Sequence, residues 1–452
     1  MSISGILDSS KRGVQANKSA LELTSENIAN INTPGYSRRL ASFSDMNSQT
    51  AKFGTITNSQ ISKELSRKRN DFIDEQFLTQ NPNLAKYSMD SQMFTQIEDI
   101  FGEPGASGIS QHLNEFWGAW GDLASDPESE PARMVVVDKA VALEKAFNRV
   151  NNDLINLKKN IATNMSGNVE DINNKLHALA EINKEITANN SDAIMDERDR
   201  LVSSLSEYFE IQTSAGKFGD VTVAAAGQIL VSGDQVNELE VVSENIGNTN
   251  NYHIRLKKND KNINLQSGEL GSLLAISNQH LPDYRSRLDQ VATNLANEVN
   301  KIHQKGYDLE DHTGISFFKN NINSAGNFAV NNLIASDPYL VATSDQKGES
   351  ANSNIARQIN EIQNQNTLKG VSLNNYYSGI ATDVGAKVKK SEDLMSSQEK
   401  IVMTIKNQQD SESGVSLDEE LVNLSKYQQA YQASAKVIGT VQTLVDTILT
   451  LI

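Results

Sequence analysis

A seven-residue apolar repeat at each end of the chain constrains its fold more than any other feature. Near the C-terminus Leu424, Tyr427, Tyr431, Ser434, Ile438, Val441, Val445, Ile448 and Ile452 follow one another at alternating spacings of three and four. A stripe that narrow is the seam of a coiled coil rather than the broad apolar face of a globular surface helix. From Leu417 to Ile452 such a helix runs about 54 Å at 1.5 Å per residue. Near the N-terminus Leu7, Val14, Leu21 and Ile28 recur every seven residues. Beside them Ser10, Asn17 and Thr24 form a row of small or polar residues that lets another backbone come close. This first helix is expected from Ser2 to Ile31, where Thr33-Pro34-Gly35-Tyr36 stops it, Pro34 and Gly35 forming the turn. The economical expectation is that the two helices pair with each other and with copies of themselves; heptads do not say which. Narrow seams are marginal when isolated, so the termini are expected to be largely disordered in the monomer and to order on assembly.

Between the ends, helical signals dominate. Helix is expected near Asp71 and again after Asn81-Pro82, with the proline at a first helical position. Phe53 to Leu65 alternates like an extended or hairpin segment. Asp126-Pro127 reads as the start of a helix carrying Val136, Ala140, Leu143, Phe147, Val150, Leu154 and Leu157, with a break at Ser166-Gly167. A shorter helix spans Ala193 to Tyr208. From Ile211 to Leu265 the texture changes to β-branched runs bounded by Gly, Asn and Asp, a small β unit. Helix returns after Gly268, with Tyr284, Leu288, Val291, Leu295, Val299 and Ile302 on one face and Gly306 as its C-cap. Residues 306–350 are loop-rich, helix runs again from Ser372 to Gln409, and Ser411–Ser416 is a break.

The expected fold is therefore mainly α with a small β domain: an elongated, multi-domain chain with a long helical bundle core, an inserted β unit, and N- and C-terminal helices pairing as a coiled coil. Its parts are a terminal helix and turn (1–40), a first helical portion (41–210), the β insertion (211–265), a second helical portion (266–410) and the C-terminal helix (411–452).

Charge and composition exclude several functions. A formal net charge of −16 disfavours a phosphate-backbone partner, so no nucleic acid is expected. Arg67-Lys68-Arg69, Lys257-Lys258 and Lys387 with Lys389-Lys390 read as solvated faces. With no cysteine, disulfides and thiolate metal sites are ruled out. No 18-residue apolar stretch predicts membrane insertion, and the first 20 residues lack the apolar core of a secretory signal. None of the six histidines has metal-ligand spacing, and neither a nucleophile elbow nor a phosphate loop occurs. Asp196, Glu197 and Asp199 alternate with Arg198 and Arg200, which reads as a salt-bridged helix face. No catalytic, metal or cofactor-binding residue and no cofactor are expected.

Two stretches carry a family resemblance. LTSENIANINTPGYSRRL (residues 23–40) resembles the signature of the flagellar rod, hook and hook-associated axial proteins. SGVSLDEELVNLSKYQQAYQASAKVIGT (413–440) is similar to the end of that group's members, and its SGVSLDEE lead-in points to the hook-associated branch. Interior stretches such as NEFWGAWGDLASDPESEPAR, MDERDRLVSSLSEYF and GISFF resemble the same branch in the same order. The resemblance implies a structural, non-enzymatic subunit of the hook–filament junction ring, built by helical self-assembly. It implies as partners further copies, the hook protein, a second junction protein (FlgL), an export chaperone (FlgN) on the C-terminal helix and the flagellar type III export apparatus. It places the protein outside the cell, exported without a cleaved signal peptide. Members often carry an outer domain after the Phe-Phe segment; here only a short stretch follows Phe317-Phe318. The alternatives are another axial subunit, of hook or distal rod, and a flagellum-associated peptidoglycan hydrolase.

Overall fold

The computed structural model describes residues 3–44, 62–103, 105, 108–189, 191–246 and 249–450. Most of the Phe53–Leu65 stretch, and Ile452, lie outside the described residues.

Eleven helices and nine strands follow in order among the described residues. Helix α1 (Ile3–Ala29) is followed by a hairpin of β1 (Arg39–Ser44) and β2 (Ser62–Arg67), paired in register from Arg39↔Arg67 to Ser44↔Ser62. Then come α2 (Asp71–Phe101), α3 (Ile109–Ser125), α4 (Glu130–Ala188) and α5 (Asp192–Leu205). The β unit holds β3 (Gln212–Ala215), β4 (Val221–Ala225), β5 (Gln228–Ser232) and β6 (Gln235–Val236) in one antiparallel sheet. A second sheet holds β7 (Leu239–Ile246), β8 (Thr249–Leu256) and β9 (Lys261–Ile263). Helix α6 (Gly268–Ala275) passes through a π-helical turn (Ile276–His280) into α7 (Leu281–His303). Short helices α8 (Asn332–Ser336) and α9 (Asn354–Glu361) lead to α10 (Leu373–Ser413) and α11 (Leu417–Thr450). The mainly helical architecture with one small β insertion is the one the sequence predicts.

The core is aliphatic with a compact aromatic centre. Phe116 and Trp120 from α3 meet Phe317 and Phe318 from the loop after α7, with Trp117 against Phe116 and with Phe328 and Phe147 extending the group. The 59-residue α4 is the spine, about 88 Å long, burying Val136, Ala140, Leu143, Phe147, Val150, Leu154 and Leu157 toward α3 and α7 and Ile172, Leu176 and Leu179 toward the β unit.

Several local readings need correction. The expected break at Ser166-Gly167 does not occur, because Ile161, Met165, Val169 and Ile172 keep the buried row continuous through it. Nor does α4 start at Asp126-Pro127: Asp126 closes α3, and Ser129 caps α4 by accepting from the Ala132 N–H at 3.4 Å, with Pro131 in the first turn. Pro82 starts no new helix but lies inside α2, where Asn81 and Pro82 are buried and the Asn81 amide donates to Ser206 Oγ at 2.9 Å. Packing there offsets the roughly 3 kcal/mol that an interior proline costs. Gly306 is not a left-handed cap either. The C-cap of α7 is Gln304, and Gly306 is small because a Cβ there would lie 2.8 Å from Ala342 and 2.9 Å from Ile355.

The segment 306–350 is loop-rich as expected, yet buried side chains tie it to the body. Arg133, fully buried in α4, donates to the carbonyls of Val341 and Pro127 and to Thr343 Oγ1. Burial pulls its guanidinium down to about 10 against the pull of Asp308. His303 Nδ1 lies 2.8 Å from the Ile315 carbonyl, while its Nε2 accepts from the Ala342 N–H at 2.9 Å, so the ring is neutral with its proton on Nδ1. After Phe317-Phe318 the chain makes only a short loop, closed by a bridge between Phe318 and Val330.

Among the described residues one device occurs five times. A helical asparagine pairs its side-chain amide with both the N–H and the C=O of one extended residue. Asn173 takes Leu239, Asn183 takes Val221, Asn278 takes Tyr252, Asn300 takes Phe318 and Asn27 takes Arg39, all at 2.7–3.1 Å. Each amide stands in for a neighbouring strand, satisfying backbone groups that would otherwise be buried unpaired.

Candidate functional site

The two terminal helices pack along each other in a single chain. They are therefore folded and paired here, contrary to the expected disorder. The pair is antiparallel: Gly13 faces Ser434, and Asn27 meets Glu420. Those contacts are fourteen residues apart on each helix, two heptads, so the seven-residue period is obeyed. A Cβ on Gly13 would lie 3.0 Å from Ser434 Oγ, which shows how closely the helices approach there.

The buried face of α1 is Ala20, Leu23, Thr24 and Asn27, largely the small and polar side of the helix. The residues of the apolar repeat, Leu7, Val14, Leu21 and Ile28, are half-buried beside it. On α11, Val441 is buried, whereas Leu424, Tyr427 and Ile438 are half-buried. Tyr431, Val445 and Ile448 are exposed. Leu417, Leu421, Val422, Val437, Leu444 and Leu449 add further exposed apolar side chains, Leu449 at 66%. A two-helix pair covers only part of such a surface, leaving a long apolar face open on α11.

Beneath the pair lies a polar hub that joins it to the body. The Pro34-Gly35 turn, with Gly35 at φ +77°, swings the chain back so that Arg38 reaches the foot of α11 while Tyr36 and Arg39 return to the end of α1. Tyr36 Oη donates to Asn27 Oδ1 at 2.9 Å, and burial pushes its phenol up to about 12. Arg38 donates to Glu420 Oε1 (2.8 Å) and Glu419 Oε2 (2.6 Å). Burial works against its charge, but the two glutamates more than offset that and raise its pKa. Glu420 is 2% exposed. The Arg38 N–H also donates to the Ser413 carbonyl at 2.8 Å, and Arg39 pairs with Glu26.

The hub continues into the body through the second strand of the hairpin. Arg67 reaches Asp196 (3.0 Å) and Asp199 (2.8 Å) on α5, and Arg69 reaches Asp199 (2.6 Å) and Asp74 (2.8 Å). Arg67 and Arg69 are thus locked in ion pairs, not a solvated basic face. Similarly, the α5 charges form only part of the expected intrahelical ladder. Glu197 pairs with Arg200 three residues on, but Asp196 and Asp199 turn to the hairpin arginines because those arrive from a different element. The cavity beside them, about 560 Å³, is lined by Arg67, Arg69, Asp74, Arg198 and Asp199 over Phe77 and Val202. Each of those charged groups is already paired with another. Among the described residues no group of three or more His, Asp or Glu side chains could hold a metal, and no helix is long and apolar enough to cross a membrane.

Sequence reasoning missed Asn27, Arg38 and Glu420. The signal was present: all three lie in the two motifs that carry the resemblance, and the structure brings those motifs into contact.

Comparisons with known proteins agree along the whole chain. Residues 94–318 match the family described as flagellar hook-associated protein FlgK helical domain. Residues 408–451 match the C-terminal family of flagellar basal body rod FlgEFG proteins, and residues 7–36 the flagella basal body rod protein family. Flagellar hook-associated protein 1 of Bacillus subtilis is 26% identical, with 98% of this chain and 97% of that protein covered. Its namesake in Salmonella typhimurium is 24% identical, covering 99% and 100%. That alignment spans 553 positions against 452 residues here, so the relative has roughly one hundred positions without a counterpart in this chain. A solved structure of the flagellar hook junction protein FlgK from Burkholderia pseudomallei shares the fold, with a TM-score of 0.67 at 13% identity, covering 74% of this chain and 99% of that one.

Proposed function

We infer, from this chain's membership of the flagellar hook-associated FlgK family, that it is a structural component of the bacterial flagellum at the junction of hook and filament, working by packing alone and not as an enzyme. The observation that carries the mechanism is the terminal pair, which is closed on one side and leaves an apolar face open along α11. An open face on a coiled-coil helix is completed by further helices, and axial self-assembly supplies them. The residues proposed to form that interface are Leu7, Val14, Leu21 and Ile28 with Leu424, Tyr427, Tyr431, Ile438, Val441, Val445, Ile448 and Ile452. In this reading subunits are made in the cytoplasm, exported through the flagellar type III apparatus and added at the hook tip outside the cell. There they touch the hook protein on one side and the second junction protein (FlgL) on the other. A chaperone (FlgN) covering the open face of α11 before export would keep it from self-associating.

Electron microscopy of cells lacking the gene tests this. Bare hooks, with flagellin shed into the medium, are expected. Normal filaments would assign the joint to another protein, and missing hooks would move this one inward to the rod or hook.

A further inference from the structure

A heptad seam does not define its own register. Sliding α11 along α1 by seven residues leaves the rows that flank the contact apolar against apolar, because Leu7, Val14, Leu21 and Ile28 repeat at the same interval as Leu424, Tyr431, Ile438 and Val445. Those apolar rows do not choose one register, and the polar hub has the properties required to do so.

Glu420 is the buried carboxylate of the pair. Its Oε1 is held by Arg38 at 2.8 Å and its Oε2 by the Asn27 amide at 3.3 Å. Asn27 is itself fixed, since its amide closes on the backbone of Arg39 and its oxygen accepts from Tyr36. Arg38 is fixed by its backbone bond to Ser413 and by Glu419. Every donor that Glu420 uses therefore has one position. In a pairing slipped by a heptad one way, Glu420 would lie beside Ala20, a heptad away from Asn27 and Arg38; slipped the other way, it would lie beyond the end of α1. A buried polar contact that can be satisfied in only one alignment sets register, often at some cost in stability.

We propose that Asn27, Tyr36 and Arg38 with Glu420 form a register latch that fixes one alignment of the terminal helices among those the heptad repeat allows. It gives a positioning role to the NINTPGYSRR turn and the SLDEE lead-in, which the apolar seam leaves without one. The inference concerns pairing within one chain and does not depend on the flagellar reading.

The absence of cysteine makes the test clean. In the native register a Cβ on residue 13 lies 3.6 Å from that of Ser434, within the span of a disulfide. Gly13→Cys with Ser434→Cys therefore reports the native register, and Gly13→Cys with Val441→Cys reports a one-heptad slip. Each pair is placed in the full-length chain, with Glu420 intact and with Glu420→Leu, oxidised at low concentration and read as a shift of the monomer band. With Glu420 intact the native link should exceed the slipped one by at least about tenfold. With Glu420→Leu the two should become comparable, and Glu420→Gln, which keeps hydrogen-bonding atoms, should restore most of the preference. Three outcomes overturn the proposal: no native link in the Glu420 chain, a native link alone in the Glu420→Leu chain, or loss of both links there, which would make the hub a stabilising contact only.

Discussion

The body and the terminal pair use apolar residues in opposite ways. Around Trp117 and Trp120 the body closes on itself, with α3, α4, α7, α9 and α10 surrounding a core whose large side chains are sealed from water. Along α11 the chain places Leu421, Val422, Leu444 and Leu449 where water reaches them. Both regions are helical and both have apolar periodicity, so secondary structure does not separate them. Stripe width and neighbour number do: the body's helices are covered by several others, whereas among the described residues the terminal helices pack chiefly on each other, with a charged hub at their foot. A region that is complete in one chain should respond to mutation by losing stability. An incomplete one should respond by losing assembly.

The largest expected effect falls on the body. Trp120→Ala removes a fully buried ring packed on Phe116 and Phe317 and should cost about 3–5 kcal/mol in urea unfolding. A loss under about 1 kcal/mol would mean that the body's core is not closed there. Acid gives the next effect. Burial holds His303 down to about 4, whereas an unfolded histidine titrates near 6.5. Between those values the unfolded chain binds the extra proton, so the body is fully stabilised above pH 6.5 and loses stability as pH falls toward 4. By pH 4.5 the loss from this group is on the order of 2–3 kcal/mol. Both tryptophans lie in the body, so their emission follows that transition without contribution from the terminal pair. Equal urea midpoints at pH 7 and pH 4.5 would refute the assignment. The smallest effect on stability marks the opposite region. Ile448→Asp, on a side chain 44% exposed, should shift the body's urea midpoint by less than about 0.5 kcal/mol yet abolish incorporation into flagella. If the variant is incorporated normally, the open face is not the assembly surface.

What the sequence shows follows the same division. The terminal repeats, the β insertion and the helix from Ser372 are legible because each is a local pattern. The continuity of α4 through Ser166-Gly167 and of α2 through Pro82 is less so, since local breakers are overruled by burial against other elements. The hub is illegible as geometry. Asn27 and Glu420 are 393 positions apart, and neither residue type announces a buried partner. Helical asparagines such as Asn173 and Asn183 read as weak helix formers, and only the approach of a strand reveals why an amide is needed there.

The antiparallel alignment of α1 with α11 has one more consequence. It makes the chain a circuit: the polypeptide runs up one helix, leaves through the hub, and comes back to the same hub before running down the other. All the rest is, topologically, a single excursion from one point. An excursion can be lengthened or shortened without moving the point where it leaves and returns, because its two roots stay pinned together. A difference of a hundred or so positions, such as that from the longer relative, can be taken up on that excursion without disturbing the pair. Size and outer shape are free to vary while the axial pair stays the same.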